Sequence, residues 1–125
     1  MKIWGLVAGL VIWGVMTAQA QAPADLTAQG KEVFEENCAQ CHRSNGEGLP
    51  AKFPALKQNP LVQGDPKAVI ATVLSGRQGG LGLMPGWTDK LDDRQVAGAV
   101  TYIRNAWTNK APAVTPDTVA ALRSK

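Results

Sequence analysis

The residues best suited to chemistry lie within one run of five, Cys38-Ala39-Gln40-Cys41-His42. The 125-residue chain has no other cysteine and no other histidine. Two cysteines separated by two residues can form a structural disulfide, a redox-active dithiol, half of a zinc site or the attachment point of a haem. The pair of cysteines alone does not decide among these four possibilities.

The histidine that directly follows Cys41 favours haem attachment. Cys-x-x-Cys-His is the attachment motif of c-type haem. Thiols three positions apart at the end of a helix lie on one side of it, so both can reach the vinyl groups along one porphyrin edge. The adjacent His42 can then bind the iron. The alternative for a lone histidine is a structural residue with satisfied hydrogen bonds.

Met84 is the candidate for a second axial ligand, because it is the only methionine beyond the first 20 residues. It lies between a glycine-rich run, Gly79 to Gly82, and Pro85, where the backbone can approach another group closely. Ligation by His and Met would fill both axial positions of the iron and leave none for a substrate. The alternative is a methionine that fills a gap in the core.

Residues 1–20 have the composition of a secretory signal peptide. They contain Lys2, an apolar run from Ile3 to Met16 and the small-residue end Thr17-Ala18-Gln19-Ala20. This predicts a periplasmic location. The alternative is a retained membrane anchor, although the run is shorter than the roughly 17 to 25 apolar residues that span a bilayer.

The formal net charge is +3, and acidic and basic residues are interspersed along the chain without forming blocks. This distribution argues against nucleic-acid binding. The predicted partners are redox proteins, namely a dehydrogenase or a terminal oxidase. Contact with a membrane is expected only through a partner or an uncleaved signal, and the free protein is expected to be a monomer.

Three to four short helices are predicted from capping residues and apolar spacing. Thr27, Asp65 and Asp92 can cap helix N-termini, Gln95 completes a capping box with Asp92, and Gly76 can end a helix. Apolar residues recur at helical spacing from Val96 to Trp107. The predicted helices run from Thr27 to about Cys38, from Pro66 to Ser75, from Asp92 towards Trp107, and from Thr115-Pro116 to Leu122, whose apolar side is expected to dock on the body.

The remaining segments, 42–60 and 76–87, are rich in glycine and proline and are predicted to be irregular loops, and no strand pattern is present. Loops of this length inside a compact domain indicate a ligand that organises them. The predicted fold is therefore all-α, with short helices and long loops wrapped around one covalently bound haem.

The sequence resembles class I cytochrome c from about Ala28 to Trp107. The resemblance implies that Gly30 and Phe34 of an early helix pack against Tyr102 of the last helix of the fold. Together with the residue patterns described above, it gives the predicted division of the chain: a signal peptide at 1–20, a flexible lead at 21–26, a cytochrome c domain at 27–108, and a linker with a short helix at 109–125.

The same resemblance implies roles for residues around the haem. The Pro54 carbonyl would accept a hydrogen bond from the distant nitrogen of His42, and Leu56 would pack on the haem ring. Arg77 and Trp87 can donate hydrogen bonds to a haem propionate, although Arg77 can equally be a solvated residue and Trp87 a packing residue.

The closer resemblance is to the haem domains of bacterial membrane-bound dehydrogenase cytochrome subunits. Those subunits usually carry several haems, whereas this chain has one attachment motif. The matching segments are Phe53-Pro54-Ala55-Leu56, Asn59-Pro60, Met84-Pro85-Gly86-Trp87 and Ala111-Pro112-Ala113-Val114-Thr115.

Three classes of function follow from these patterns. The leading hypothesis is an electron carrier, either free or a small subunit of a dehydrogenase or oxidase. A catalytic or gas-binding haem protein is possible if Met84 ligates weakly. A thiol-disulfide oxidoreductase or zinc module is disfavoured, since thioredoxin-like chemistry needs a strand before the cysteines and zinc would lack further ligands.

Overall fold

The computed structural model describes residues 23–79 and 82–123, together with Gly5, Gly9, Val11, Trp13 and Gly14. The predicted signal peptide, 1–20, lies almost entirely outside these residues. Within 23–79 and 82–123 the elements are, in chain order, α1 (Pro23–Asn37), α2 (Ala39–His42), α3 (Pro60–Gln63), α4 (Pro66–Ser75), β1 (Arg77–Gly79), β2 (Gly82–Met84), α5 (Asp93–Ile103) and α6 (Pro116–Arg123). No helix in this part of the chain is long and apolar enough to cross a membrane.

The fold is organised by the crossing of α1 and α5 at two glycines. A Cβ atom on Gly30 would lie 1.8 Å from the carbonyl oxygen of Gly98, so the two backbones are in direct contact. Next to this crossing the Phe34 ring packs against Tyr102, with ring centroids 5.5 Å apart. The implied packing of Phe34 against Tyr102 is therefore present, whereas Gly30 contacts Gly98 of the same helix.

Local capping signals set the ends of α4 and the start of α5. The Asp65 carboxylate accepts a hydrogen bond from the Lys67 backbone N–H at 2.9 Å, and Gly76 ends α4 with φ at 76°. Asp92 and Gln95 form a reciprocal capping box at the start of α5. The predicted helix from Pro66 to Ser75 and the predicted capping box are both confirmed.

Helix α1 begins earlier than predicted, at Pro23 and not at Thr27. Proline is well suited to the first turn of a helix, and Asp25 places a negative charge at the positive end of the helix dipole. Leu26 is buried in the core. Residues 23–26 are thus a packed helical turn, and the prediction of a flexible lead there was wrong.

Helix α5 ends at Ile103, so the prediction that helical spacing continues to Trp107 was wrong. Trp107 lies in the turns beyond the helix with φ at 51°. The centroid of its ring lies 5.2 Å from the centroid of the Phe34 ring, and its indole N–H donates to the Ser44 carbonyl at 2.8 Å. These tertiary contacts with distant residues replace the next helical turn.

The glycine-rich segment contains a short hairpin where the sequence analysis expected only a loop. Strands β1 and β2 pair antiparallel, with Arg77 opposite Met84 and Gly79 opposite Gly82. Every residue of the two strands except Met84 is exposed, and each strand pairs with the other alone among the described residues. A strand with no buried face shows no alternation of apolar and polar residues, which is why the pattern was missed.

The C-terminal segment packs on the body more tightly than predicted. Helix α6 docks through Val119, which is fully buried, and this confirms the predicted docking. The segment 108–114, predicted to be an exposed linker, instead buries Asn109 and Val114. The hydroxyl of Thr101 bonds the backbone N–H and carbonyl of Val114, and this pairing satisfies the buried polar groups.

Candidate haem-binding site

The predicted site residues converge on one apolar cleft of about 390 Å³. Its floor is formed by apolar side chains of α4 and α5, including Val69, Val73, Val100 and Ile103. The predicted residues that line it are Cys38, Cys41, His42, Pro54, Leu56, Arg77, Met84 and Trp87.

His42 ends the one-turn helix α2 and is only 8% exposed. Its Nδ1 lies 3.0 Å from the Pro54 carbonyl oxygen, and because a carbonyl only accepts, Nδ1 carries the proton and donates it. Nε2 is then left with its lone pair, which is the form of imidazole that binds a metal. The hydrogen bond implied by the family resemblance is present.

Cys38 and Cys41 are half-buried and are not joined by a disulfide. Burial raises the pKa of the Cys38 thiol to about 11, and the neighbouring Cys41 thiol shifts it in the same direction. A redox-active Cys-x-x-Cys pair needs the opposite, a thiolate stabilised by a lowered pKa. Among the described residues no three His, Cys, Asp or Glu side chains are grouped to hold a metal ion.

Met84 reaches the cleft from the end of β2. The base of the hairpin is fixed on the end of α4, since the Trp87 backbone N–H donates to the Val73 carbonyl at 3.0 Å. A Cβ atom on Gly76 would lie 2.4 Å from the Met84 carbonyl oxygen, so only glycine allows this approach. Arg77 is the cross-strand partner of Met84 and lies on the same face of the hairpin.

The residues of the cleft fit a haem. The lining is mainly apolar, as a flat macrocycle requires. Cys41 and His42 reach it from α2, Cys38 from the residue just before α2, and Met84 from β2. The charged side chains in the lining, Lys52 and Arg77, are both cationic and suit carboxylate groups at the periphery of a bound porphyrin.

Two buried polar residues behind the cleft were missed by the sequence analysis. Arg104 is 1% exposed, and its guanidinium donates to the carbonyl oxygens of Val62, Gly64 and Pro112. Burial lowers the pKa of Arg104, and the Asp65 carboxylate partly opposes that shift. Asn109, the second residue, is 2% exposed. Polar residues just after a helix carry no sequence signal that distinguishes burial from exposure.

A comparison with protein families agrees with this geometry. A family model described as cytochrome c oxidase, cbb3-type, subunit III matches residues 25–103. The chain belongs to this family of c-type cytochrome domains. Membership confirms the predicted family and the electron-carrier class, and proteins of this family carry covalent haem c.

Individual relatives include subunits of two kinds of enzyme complex. The chain is 38% identical over 91 residues to the cbb3-type cytochrome c oxidase subunit CcoP of Azospirillum sp. (strain B510), covering 67% of this chain and 30% of the relative. It is 37% identical over 116 residues to the gluconate 2-dehydrogenase cytochrome c subunit of Pantoea cypripedii, covering 85% and 26%. The chain therefore spans about a third or less of these relatives.

The fold also has a counterpart among solved structures. The c-type cytochrome XoxG from Methylobacterium extorquens AM1 superposes with a TM-score of 0.55 at 20% sequence identity, covering 79% of this chain and 65% of that one. This similarity confirms the predicted cytochrome c fold. The short hairpin is an addition to the predicted all-α description.

Proposed function

We propose that this chain is a monohaem electron-transfer protein, with Cys38 and Cys41 as thioether links and His42 and Met84 as axial ligands of the haem iron. The observation that supports this most directly is the His42 ring, whose Nδ1 is engaged by the Pro54 carbonyl while the side chain lines the same cleft as Met84. The haem, when bound, supplies one-electron exchange between ferric and ferrous iron.

The protein residues have separate roles in this proposal. Pro54 orients the His42 ring and raises its basicity through the Nδ1–H hydrogen bond. Met84 raises the reduction potential and, with His42, leaves no axial position for a substrate. Both ligands therefore favour a carrier over a catalytic or gas-binding protein. Leu56 and Trp87 exclude water from the cleft, and Arg77 neutralises a propionate.

The proposed partners are redox proteins, as donor and acceptor, with the chain acting either free or as a small subunit of a dehydrogenase or oxidase. Relatives from both kinds of complex support this range. The proposed location is the periplasm, which the signal-like composition of residues 1–20 supports. The free protein is proposed to be a monomer.

The first test is the visible spectrum of the holoprotein and of a Met84→Ala variant, each oxidised and reduced, together with their midpoint potentials. We expect a low-spin spectrum for the wild type, loss of the methionine-to-iron charge-transfer band in Met84→Ala, and a lower potential in that variant. Leu122→Ala, a truncation of similar size at a half-buried position of α6 outside the cleft lining, is the matched control and should change neither property.

The opposite result is equally clear. A high-spin wild-type spectrum that shifts with carbon monoxide would show an open iron position. The carrier proposal would then be replaced by catalysis or gas binding.

A second prediction concerns the surface through which electrons leave. Within 23–79 and 82–123 the large apolar side chains that are exposed, Leu61 at 42% and Leu83 at 68%, both lie on the rim of the cleft. An exposed apolar rim beside the cofactor suits a weak, fast contact between redox proteins. We expect Leu83→Glu to slow electron self-exchange between two copies of the protein several-fold, because two like charges then meet at the contact.

Self-exchange is measured by NMR line broadening in mixtures of oxidised and reduced protein. The control is Ala121→Glu, which adds the same charge at an exposed position of α6 away from the cleft lining. Equal slowing in the two variants would show that net charge, and not the rim, controls the rate.

A further inference from the structure

A buried asparagine connects the C-terminal segment to the loop that holds His42 in place. The Asn109 side-chain amide donates to the Ile103 carbonyl at 2.8 Å and to the Leu56 carbonyl at 3.0 Å. Its Oδ1 accepts from the Gln58 backbone N–H at 2.7 Å. Asn109 is 2% exposed, so these bonds replace all contact with water.

Two of these three bonds go to the segment 54–58, in which Pro54 and Leu56 line the cleft. Gln58 has φ at 54°, a conformation that a non-glycine residue adopts only when its surroundings hold it there. The bond to Asn109 supplies such a restraint. Asn109 therefore fixes the C-terminal end of this segment against the end of α5.

The other end of the same segment acts on His42. The Pro54 carbonyl accepts the hydrogen bond from His42 Nδ1. Two residues later, the Leu56 carbonyl accepts from the Asn109 amide, and the Leu56 backbone N–H donates to the Gly46 carbonyl at 2.8 Å. Only three residues thus lie between Pro54, which contacts His42, and Gln58, which contacts Asn109. Movement at one end of so short a segment displaces the other.

We propose that Asn109 is a positioning residue that sets the strength of the His42–Pro54 hydrogen bond and, through it, the reduction potential of the haem. The inference rests on the proposed function, since it requires His42 as an iron ligand. A histidine that donates its second N–H to a firmly held carbonyl is a stronger electron donor to the metal and favours the oxidised form. Loosening the carbonyl is expected to raise the potential.

The test compares Asn109→Ala with Asn105→Ala in the holoprotein. Asn105 is a matched control because it lies beyond the same end of α5 and its amide also makes two hydrogen bonds, to the carbonyls of Thr101 and Ala111, neither of which belongs to 54–58. The measurements are the midpoint potential and, by NMR of the reduced protein, the solvent exchange rate of the His42 Nδ1 proton.

We expect Asn109→Ala to raise the potential and to speed Nδ1 proton exchange about tenfold, as when an ordinary hydrogen bond is lost, with neither change in Asn105→Ala. If Asn109→Ala does not accumulate as holoprotein, Asn109→Ser takes its place, since a hydroxyl retains polarity but is too short to reach Leu56.

Equal changes in the two asparagine variants, no change in either, or a lower potential with unaltered exchange would each overturn the assignment of Asn109. These outcomes are distinct from failure of the proposed function. In that case the wild-type protein itself would lack a low-spin haem spectrum.

Discussion

A Gly30→Ala chain is expected to lose most of its folding stability, because the added methyl group would lie 1.8 Å from the carbonyl oxygen of Gly98. The obstacle is the backbone of α5, which cannot rotate aside as a flexible side chain can. The helices α1 and α5 would have to separate along their whole contact. Overpacking ordinarily lowers the free energy of unfolding by about 1–3 kcal/mol. Because this clash is with backbone at the main helix crossing, we expect a loss at or above the upper end of that range. Urea denaturation of the holoprotein measures the loss.

Alanine variants of two other glycines extend this experiment to a series in which the expected loss of stability is graded. A Cβ atom on Gly79 would meet nothing within 4 Å, so Gly79→Ala should change the free energy of unfolding by no more than about 0.5 kcal/mol. Gly98→Ala, whose Cβ would lie 3.0 Å from the Leu26 carbonyl, should fall between them. If Gly30→Ala is as stable as Gly79→Ala, the helices do not cross where the structure places them.

A chain with both Cys38→Ala and Cys41→Ala is expected to retain no haem after denaturation. The sequence contains no other cysteine, so no other thioether can form. The measurement is haem staining after denaturing electrophoresis, or extraction with acidified acetone. The wild type should keep its haem in both assays, whereas the double variant should release all of it.

The single variants Cys38→Ala and Cys41→Ala are the matched controls, since each keeps one thioether. Both should keep covalently bound haem. The absorption band of their reduced pyridine complex should lie between that of the wild type and that of free haem. Haem that stays bound to the double variant would disprove thioether attachment at this motif. Loss of haem from a His42→Ala chain with both cysteines intact would instead indicate that axial ligation precedes attachment.

The features predicted correctly from the sequence are those encoded by neighbouring residues. The proposed attachment motif stays a prediction, but it is equally local, since it lies in five consecutive positions. Helix α4 is delimited by Asp65 at one end and Gly76 at the other. The capping box of α5 likewise involves only Asp92 and Gln95. In each of these cases the contact that forms the structure is made within a few residues along the chain.

The features that were missed depend on residues far apart in the sequence. Trp107 leaves the helical pattern because its ring packs on Phe34 and its N–H bonds Ser44. Asn109 is buried because it bonds a loop some fifty residues earlier, at separations of 51 and 53. No local pattern distinguishes these residues from the polar and aromatic residues of an ordinary exposed linker.

The hydrogen bonds made by the segment after α5 have a consequence for folding kinetics. Its bonds to earlier parts of the chain join Trp107 to Ser44, 63 residues apart, and Arg104 to Val62 of α3, 42 residues apart. Contacts between residues so far apart in sequence form late in folding. The chain between them must first lose conformational entropy as the loop closes, and only then does the contact add stability. The thiols of Cys38 and Cys41 are therefore expected to stay accessible until the segment after α5 has docked. Haem attachment can then precede closure of the cleft, and a chain truncated after Ile103 should accept haem yet fail to complete its fold.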